Sequence, residues 1–283
     1  MKFKVSPEVD PAVSVIVTTK NEQQKIRACL ESLLKQSMPP LEIIVVDNFS
    51  EDKTTEIAQE CGAKVFQVGP ERSAQRNYGV KQARGKYILY LDSDMRLTPK
   101  VIEECVNSCE ADSGISGIYI PELIVGTGFW INVRRFERSF YDGTVIDAVR
   151  FIPKKAFQHV KGFDLKLTGP EDWDFDKKIR ELGKTILVEA NLEHDEGDFD
   201  LKNYLNKKNY YSKAFDNYSK KWGEDDPDIR KQLGIWYRFF GVFTEDGKIF
   251  KLLRHPILSI SVYYLRIRVG IIYLLTNINK KMA

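Results

Sequence analysis

Strands that alternate with helices are the feature of this sequence that most constrains its fold. Four short runs are rich in apolar and β-branched residues and have the length of buried strands, namely 13–18, 41–46, 64–68 and 87–91. Between the first two runs, Ile26, Leu30 and Leu33 recur at helical spacing. This alternation predicts an α/β fold with a mostly parallel sheet flanked by helices.

Polar residues gather where these strands end. In open parallel sheets, ligands bind beyond the carboxyl ends of the strands, so residues at these points are candidates for a binding site. The residues at or just after the strand ends are Thr18, Thr19, Lys20, Asn21, Asp47, Asn48, Arg72, Asp92, Ser93 and Asp94. Their shared location is a stronger argument for a site than any one of them.

The tripeptide Asp92-Ser93-Asp94 closes the fourth predicted strand. Two neighbouring carboxylates repel each other unless a cation lies between them. Mg²⁺ and Mn²⁺ prefer carboxylate oxygens and often share them with substrate phosphates. The tripeptide therefore predicts a site for a divalent cation and a diphosphate.

A second acidic group follows much later in the chain. Glu171 and Asp172 open a predicted helix that ends near Leu182, and Asp174 and Asp176 lie in its first turns. Acids at a helix start are also favoured by the helix dipole, which is the structural alternative to a catalytic role. A short predicted strand, 185–189, then leads to His194.

Other segments give further structural predictions. Asn21 is a candidate cap for the first helix, Ser50 is the expected start of the second helix, and 200–222 predicts one helix. The segment 114–151 is rich in glycine, aromatic and β-branched residues, which predicts strands with a mobile loop. The arginines of this segment could meet an anionic group or could be solvated surface charges, and they are Arg134, Arg135, Arg138 and Arg150.

Composition limits the class of protein. The chain has 283 residues, 43% of them hydrophobic, which suits one large domain or one domain with an appendage. The four cysteines show no metal-binding spacing, so we expect a reducing compartment. The first residues are too polar for a signal peptide, so none is expected.

The last fifty residues are basic and aromatic, with eight lysines and arginines against two acids. The stretch 257–275 is about as long as a membrane span, but Arg266 and Arg268 interrupt it, and charge near the bilayer centre is costly. A segment lying in the membrane interface is the favoured interpretation. A spanning helix and a contact with protein are the alternatives.

Five short motifs in order resemble the family 2 glycosyltransferases, which have the GT-A fold. The motifs are Val13-Ser-Val-Ile-Val-Thr-Thr-Lys-Asn-Glu22, Ile43-Ile-Val-Val-Asp47-Asn-Phe-Ser50, Ser73-Ala-Gln-Arg-Asn-Tyr-Gly79, Gly85-Lys-Tyr-Ile-Leu-Tyr-Leu-Asp92-Ser-Asp94 and Glu171-Asp172. The resemblance covers residues 12–198. It implies an inverting, metal-dependent enzyme that moves a sugar from a nucleoside-diphosphate sugar (a UDP- or GDP-sugar) to an acceptor hydroxyl.

The resemblance also implies roles for the residues that bind the donor. The nucleoside would lie against Thr19, Asn21, Glu22, Asp47 and Asn48. Arg72 or Arg76 would approach the base or the diphosphate, although Arg76 could equally stabilise the packing of helix against sheet. Asp92, with Ser93 beside it, would contact the ribose or a metal-bound water.

By the same resemblance, Asp94 is the leading metal ligand, and Asp92 and His194 are the further candidate ligands. The alternative for His194 is a histidine that stabilises its loop. The ion would be Mn²⁺ or Mg²⁺, and a bound His194 would favour Mn²⁺. Asp172 would be the catalytic base and Glu171 would orient the acceptor. Trp173 would either stack on a sugar or fill the core.

These features predict a catalytic domain over 1–200 and a helical, membrane-associated extension over 201–283. A membrane-bound enzyme suggests a glycan or lipid-linked acceptor at the cytoplasmic side of the cell membrane. Competing interpretations are a sugar-nucleotide pyrophosphorylase and a non-catalytic membrane adaptor. Nucleic-acid binding is not expected, because the basic tail is apolar rather than phosphate-tracking.

Overall fold

The computed structural model describes residues 12–282, without the side chains of 273 and 275–282. The expectation about a signal peptide falls on the first eleven residues and so lies outside the described part. By contacts the chain divides into two units, and both are discontinuous in sequence. The first unit holds the chain up to Leu123, Asp147–Leu165 and Glu171–Asp195, and the second holds Ile124–Ile146, Lys166–Pro170 and the chain from Glu196.

Together, the described residues of the two units form ten strands and thirteen α-helices. The strands are β1 (Val13–Thr19), β2 (Glu42–Asp47), β3 (Lys64–Gln67), β4 (Tyr87–Asp92), β5 (Met95–Leu97), β6 (Ile115–Tyr119), β7 (Glu122–Thr127), β8 (Phe151–Pro153), β9 (Lys184–Leu187) and β10 (Leu192–Asp198). The helices before β10 are α1 (Ile26–Leu34), α2 (Thr54–Glu60), α3 (Arg72–Gln82), α4 (Val101–Ala111), α5 (Phe129–Arg138), α6 (Lys154–His159) and α7 (Glu171–Leu182). The helices after β10 are α8 (Leu201–Ser212), α9 (Phe215–Trp222), α10 (Pro227–Leu233), α11 (Val242–Thr244), α12 (Ile249–Arg254) and α13 (Pro256–Met282), with a π-helical turn at Tyr237–Gly241 and a 3₁₀ turn at Glu245–Gly247.

Unit 1 is built on a seven-stranded sheet in the order β3-β2-β1-β4-β8-β6-β9. The pairs β3/β2, β2/β1, β1/β4 and β6/β9 are parallel, and β8 runs antiparallel to both of its neighbours. A smaller sheet has the order β5-β10-β7. The predicted α/β fold with a mostly parallel sheet flanked by helices is therefore confirmed.

The central strands are apolar throughout because both faces of the sheet are covered. Val15 and Val17 of β1 join one core, which includes Leu30 of α1, while Ile16 between them joins the other core, which includes Ile179 of α7. Side chains alternate between the two faces along a strand, so a run such as β1 supplies both cores. This burial fixes the strand register and with it the positions of the residues at the strand ends.

Several predicted boundaries differ from the structure. Helix α1 begins at Ile26 rather than after a cap at Asn21, which lies in a left-handed turn with φ 54°. Helix α2 begins at Thr54, not at Ser50, because Ser50 binds Asp47. The stretch 200–222, predicted as one helix, forms α8 and α9.

The segment 114–151, predicted as strands with a loop, contains helix α5. Its β-branched and aromatic residues favour a strand locally, but tertiary packing outweighs that preference. Ile131 and Val133 are fully buried, and Arg134 pairs with Glu137 one turn later. Packing of α5 against α13, which also packs against α8, explains why unit 2 includes 124–146.

Unit 2 consists mainly of α5 and the helices from α8 onward. None of the helices in the described part of the chain is both long and apolar enough to cross a membrane. Arg266 of α13 lies buried against Glu137 of α5, and Arg268 is exposed. The two arginines that interrupt the apolar stretch thus have different environments.

Candidate active site

The ends of β2, β1 and β4 lie side by side at one edge of the large sheet. Thr19 is the register partner of Asp47 on β2, and Thr18 is the partner of Asp92 on β4. The Thr18 hydroxyl donates to Asp92 Oδ1 at 2.8 Å. Parallel pairing therefore brings together the acidic residues that the sequence placed at separate strand ends.

The loops after β1 and β2 bind each other. Asp47 is buried, and its carboxylate accepts hydrogen bonds from the Ser50 backbone N–H at 2.8 Å and from the Ser50 hydroxyl. Ser50 Oγ in turn accepts from the Asn21 backbone N–H at 2.7 Å. The Glu22 backbone N–H donates to Thr54 Oγ1 at 2.8 Å. These bonds hold Asn21, Glu22 and Asp47 together at the ends of β1 and β2.

Three polar side chains near the ends of β1 and β2 differ in whether they have hydrogen-bond partners. The Thr19 hydroxyl is buried and has no hydrogen-bond partner among the described residues. Asn48, next to it in the sheet edge, donates from Nδ2 to the Pro70 carbonyl. Gln75 of α3, which the sequence analysis missed, donates to the Thr19 carbonyl at 3.0 Å and to the Val46 carbonyl at 2.6 Å. An unsatisfied buried hydroxyl is costly, which makes Thr19 a candidate ligand contact.

Asp92 is bound by two arginines from α3. Its Oδ2 lies 3.2 Å from Arg72 Nη1, and its Oδ1 lies 3.1 Å from Arg76 Nη2. Burial alone would raise the pKa of Asp92, but Arg76 and Arg72 hold that pKa well below its usual range. Asp92 is therefore a stable carboxylate, and the arginines balance its charge.

The same two arginines reach the acids that open α7. Arg72 Nη2 lies 3.0 Å from Glu171 Oε1, and Arg76 Nη1 lies 2.6 Å from Asp172 Oδ1. Burial and the neighbouring Asp172 raise the pKa of Glu171. Residues separated by about eighty positions in the chain thus meet through one pair of guanidinium groups.

Arg76 has no exposed surface. Its guanidinium carbon lies 4.7 Å from the Tyr90 ring centroid and 5.1 Å from that of Phe163, so it is enclosed by aromatic rings. Arg72 keeps 30% of its side chain exposed. Arg72 is consequently the more accessible of the two for a ligand. The burial of Arg76 favours its alternative role, which is to stabilise the packing of the helix against the sheet.

Asp94 and His194 are neighbours because β5 pairs antiparallel with β10. The partner of Met95 in that pairing is His194, and His194 Nε2 lies 3.2 Å from Asp94 Oδ2. The other ring nitrogen, Nδ1, lies 2.7 Å from Glu122 Oε1, and Glu122 Oε2 lies 3.2 Å from Arg150. Burial would lower the pKa of His194, but Glu122 and Asp94 raise it to about 10.

The second oxygen of the Asp94 carboxylate, Oδ1, decides whether Asp94 and His194 suit a divalent cation. Asp94 Oδ1 is buried and lacks a hydrogen-bond partner among the residues described. Two carboxylates around His194 stabilise positive charge, and Glu122 orients the ring from its far side. No group of three potential protein ligands occurs within the described residues. Asp94 and His194 therefore suit a cation that takes its other ligands from substrate or water.

Not every candidate residue joins these groups. Trp173 is half-buried, so its burial does not decide between stacking on a sugar and filling the core. Ser93 is buried, and its backbone N–H donates to the Thr18 carbonyl at 3.1 Å. Glu122 was not predicted as a member of the site, and its only sequence signal was its position after a strand end. Arg150 was one of four arginines for which contact with an anionic group and a solvated surface position were both left open.

Fold and site together define an α/β protein in which acidic side chains and two arginines meet at one edge of a mostly parallel sheet. A family model described as Glycosyl transferase family 2 matches residues 14–162. The chain therefore belongs to Glycosyl transferase family 2.

Curated relatives match part of the chain. Putative glycosyltransferase EpsH of Bacillus subtilis (strain 168) is 36% identical over 104 residues, 35% of this chain and 30% of the relative. Chondroitin synthase of Escherichia coli is 27% identical over 187 residues, 61% of this chain and 27% of the relative. The chain spans less than half the length of the first curated relatives that it matches.

Solved structures show the same fold at low identity. The mannosyltransferase PcManGT from Pyrobaculum calidifontis, in complex with GDP-Man and Mn²⁺, has a TM-score of 0.62 at 17% identity, covering 99% of this chain and 90% of that chain. S. aureus TarS 1-349 in complex with UDP-GlcNAc has a TM-score of 0.54 at 18% identity, covering 93% and 89%.

Proposed function

We propose that the protein transfers a sugar from a nucleoside-diphosphate sugar to an acceptor hydroxyl, with inversion at the anomeric carbon. The observation that carries this proposal is the link from Asp92 through Arg76 to Asp172. The link lies at the edge of the sheet where β1 and β2 also end. Relatives named as glycosyltransferases, and neighbours whose titles name UDP-GlcNAc or GDP-Man, support the proposal.

The donor would bind at the ends of β1 and β2. The rigid group formed by Asn21, Glu22 and Asp47, with Asn48 beside it, would hold the nucleoside. The Thr19 hydroxyl, buried without a partner among the described residues, would gain one from the donor. Arg72, which remains partly exposed, would approach the diphosphate.

Asp172 would act as the general base. As the acceptor oxygen forms its bond to the anomeric carbon, the bond from that carbon to the diphosphate breaks and the hydroxyl proton passes to Asp172. The nucleoside diphosphate leaves with the bonding electron pair. Arg76 orients this carboxylate from its buried side, and Glu171 beside it would position the acceptor.

Asp94 and His194 would hold the Mn²⁺ or Mg²⁺ ion. Asp92, which lies just before Asp94 in the sequence, is the further candidate ligand. When bound, such an ion supplies positive charge that stabilises the departing diphosphate. Glu122 fixes the orientation of the His194 ring, so that Nε2 faces Asp94. The neighbour bound to GDP-Man and Mn²⁺ supports a divalent ion in this family.

We further propose that the C-terminal helices lie on the cytoplasmic surface of the cell membrane and that the acceptor is a lipid-linked saccharide or glycolipid. The exposed apolar side chains of α13 are spaced alternately three and four residues apart, so they lie on one face of that helix. We call them, together with two exposed apolar side chains of α12, the exposed stripe. Its members are Phe250, Leu253, Ile257, Ile260, Tyr264, Ile267, Ile271 and Leu274. The sequence has no acid after Asp246, so the charges beside the stripe suit anionic lipid.

A donor-binding experiment tests the enzymatic proposal. The full chain is screened with UDP- and GDP-sugars, each with Mn²⁺, with Mg²⁺ or with a chelator, and the melting temperature is recorded. A donor should raise it in the presence of a divalent ion and less with the chelator. No rise with any nucleotide sugar, together with no release of nucleoside diphosphate, would contradict the proposal.

The membrane proposal is tested by sedimentation with vesicles of phosphatidylglycerol and phosphatidylcholine. The variant I260E/I267E should lose most of its binding, while L165E, which adds a charge at an exposed leucine in unit 1, should retain it. Equal sedimentation of both variants would contradict membrane binding through the stripe. A dimer in solution that only I260E/I267E dissolves would assign the stripe to a second copy instead.

A further inference from the structure

Four cationic side chains converge inside unit 2, apart from the residues of the candidate active site. They come from four different elements, and we call them the basic cluster: Arg134 of α5, Lys208 of α8, Arg238 of the π-helical turn and Arg266 of α13. Arg134 and Arg266 are buried, while Lys208 and Arg238 are half-buried. Long-range packing, not local sequence, brings them together.

Two carboxylates lie among these cations, and both are already engaged. Arg134 pairs with Glu137 and lies 3.0 Å from Glu196 Oε1. Glu137 also lies 3.1 Å from Arg266 Nε and accepts a hydrogen bond from the Tyr141 hydroxyl at 2.6 Å. Burial would raise the pKa of Glu137, but Arg134 and Arg266 lower it to about 2. Glu137 is therefore a fully ionised partner of Arg134 and Arg266, and Glu196 pairs with Arg134.

The remaining positive charge is not neutralised in the same way. Lys208 forms no ion pair within the described part of the chain, and its nearest aromatic partner is the Tyr204 ring at 5.3 Å from Nζ. Burial and then Arg134 lower the pKa of Lys208 to about 7. Arg266 is only 6% exposed, yet its Nη1 has no hydrogen-bond partner among described residues.

A buried guanidinium nitrogen without an acceptor and a lysine without a counter-ion are both costly, unless a ligand supplies oxygen atoms. A phosphate group carries close to two negative charges and three acceptor oxygens, and guanidinium groups bind it through paired hydrogen bonds. The half-buried Lys208 and Arg238 provide the accessible side.

We propose that the basic cluster binds a phosphate group, and specifically the phosphate of a lipid-linked acceptor. This inference rests on the proposed function for the identity of the acceptor, and on the cluster alone for the chemistry of binding. Arg266 belongs to the helix that carries the exposed apolar stripe, so one helix would bind both the phosphate and the surface of the lipid.

Phosphate binding is measured by calorimetry on the full chain, first with inorganic phosphate and then with vesicles of phosphatidylcholine that contain phosphatidic acid. The variant Lys208→Met should weaken binding by at least about tenfold, the effect of losing a charge-assisted hydrogen bond. Lys208→Arg should restore most of it. Lys207→Met removes an exposed charge one residue away and should change little.

The two probes distinguish the source of the phosphate. Binding to phosphatidic acid vesicles with weak binding of inorganic phosphate, both dependent on Lys208, supports a lipid source. Binding of inorganic phosphate alone keeps the phosphate site and overturns the lipid assignment. Binding of neither probe, or equal binding by wild type and Lys208→Met, overturns the site itself.

Two controls protect this test. If Lys208→Met does not fold, the wild-type melting temperature decides: phosphate should raise it more than chloride at equal ionic strength, and an equal effect overturns the inference. Nucleotide-sugar binding and phosphate binding by the wild type are measured in parallel. In the wild type, intact donor binding without phosphate binding refutes only this inference, whereas phosphate binding without donor binding refutes only the proposed function.

Discussion

Arg76 Nη1 lies 2.6 Å from Asp172 Oδ1, with the arginine fully buried and the aspartate at the start of α7. The other amino nitrogen of Arg76 binds Asp92 at the end of β4. The two acids of the proposed reaction centre are therefore held by one rigid side chain. Asp92 and Asp172 depend on Arg76 for their position, and Arg76 depends on them for its charge balance.

Replacing Arg76 should consequently affect stability as well as activity. Arg76→Met leaves Asp92 and Asp172 without this partner, and breaking a buried ion pair costs about 3–5 kcal/mol. Arg27→Met removes an arginine from the exposed pair with Glu60 and should cost less than about 1 kcal/mol. Urea unfolding of both variants gives the comparison. Equal stabilities would mean that Arg76 is not a structural support of the site.

Thr19→Val tests whether the unpartnered hydroxyl serves a ligand. Valine keeps the shape of threonine and removes a buried group that lacks a partner among the described residues, so the melting temperature should not fall. The affinity for the nucleotide sugar should fall by about threefold to tenfold if the hydroxyl binds the donor. A lower melting temperature with unchanged donor affinity would assign the hydroxyl a structural role.

Glu122→Gln tests the support of His194. A group that orients a metal-bound histidine typically contributes about 10- to 100-fold to metal affinity, so Mn²⁺ binding should weaken to this extent. Manganese binding is followed by the electron paramagnetic resonance signal of the free ion. The control is Glu193→Gln, which changes the residue just before His194 in β10 and removes its exposed pair with Arg96. An unchanged Mn²⁺ affinity in Glu122→Gln would separate Glu122 from the metal site.

Asp176 predicts a pH dependence of stability. Burial raises its pKa from 3.8 to about 6, so ionising it costs more in the folded protein than in the unfolded chain. Its contribution to stability is complete below pH 4 and is lost as the pH rises through about 6. Two pKa units correspond to about 3 kcal/mol.

Asp176→Asn does not ionise, so its stability relative to wild type should rise between pH 4 and pH 6.5. Urea unfolding across this range measures the difference, and Asp225→Asn, at an exposed side chain, should show no such trend. A constant difference between Asp176→Asn and wild type across the range would contradict the raised pKa.

The sequence predicted much of unit 1 because its strands are buried on both faces and its binding residues follow strand ends. Val15, Ile16 and Val17 show this pattern directly, and their register brings Thr19 beside Asp47. The strand ends therefore indicated which acids would meet, without any knowledge of side-chain contacts.

Contacts made over long distances in the chain were beyond such reasoning. The partners of Arg76 come from β4 and α7. Arg150 pairs with Glu122, and the sequence left open whether this arginine meets an anionic group or is a solvated surface charge. Helix α5 was missed because its residues favour strands locally, while the pairs of Glu137 with Arg266 and of Arg134 with Glu196 join it to distant parts of the chain.

The most direct measurement of the central claim is single-turnover transfer by Asp172→Asn, with donor affinity measured on the same protein. Glu181→Gln, which changes an exposed carboxylate near the far end of the same helix, is the matched control. Asp172→Asn should bind the donor within about threefold of wild type and should lose at least about a hundredfold in transfer rate, while Glu181→Gln retains both. Transfer by Asp172→Asn at the rate of wild type would contradict the assignment of Asp172 as the base.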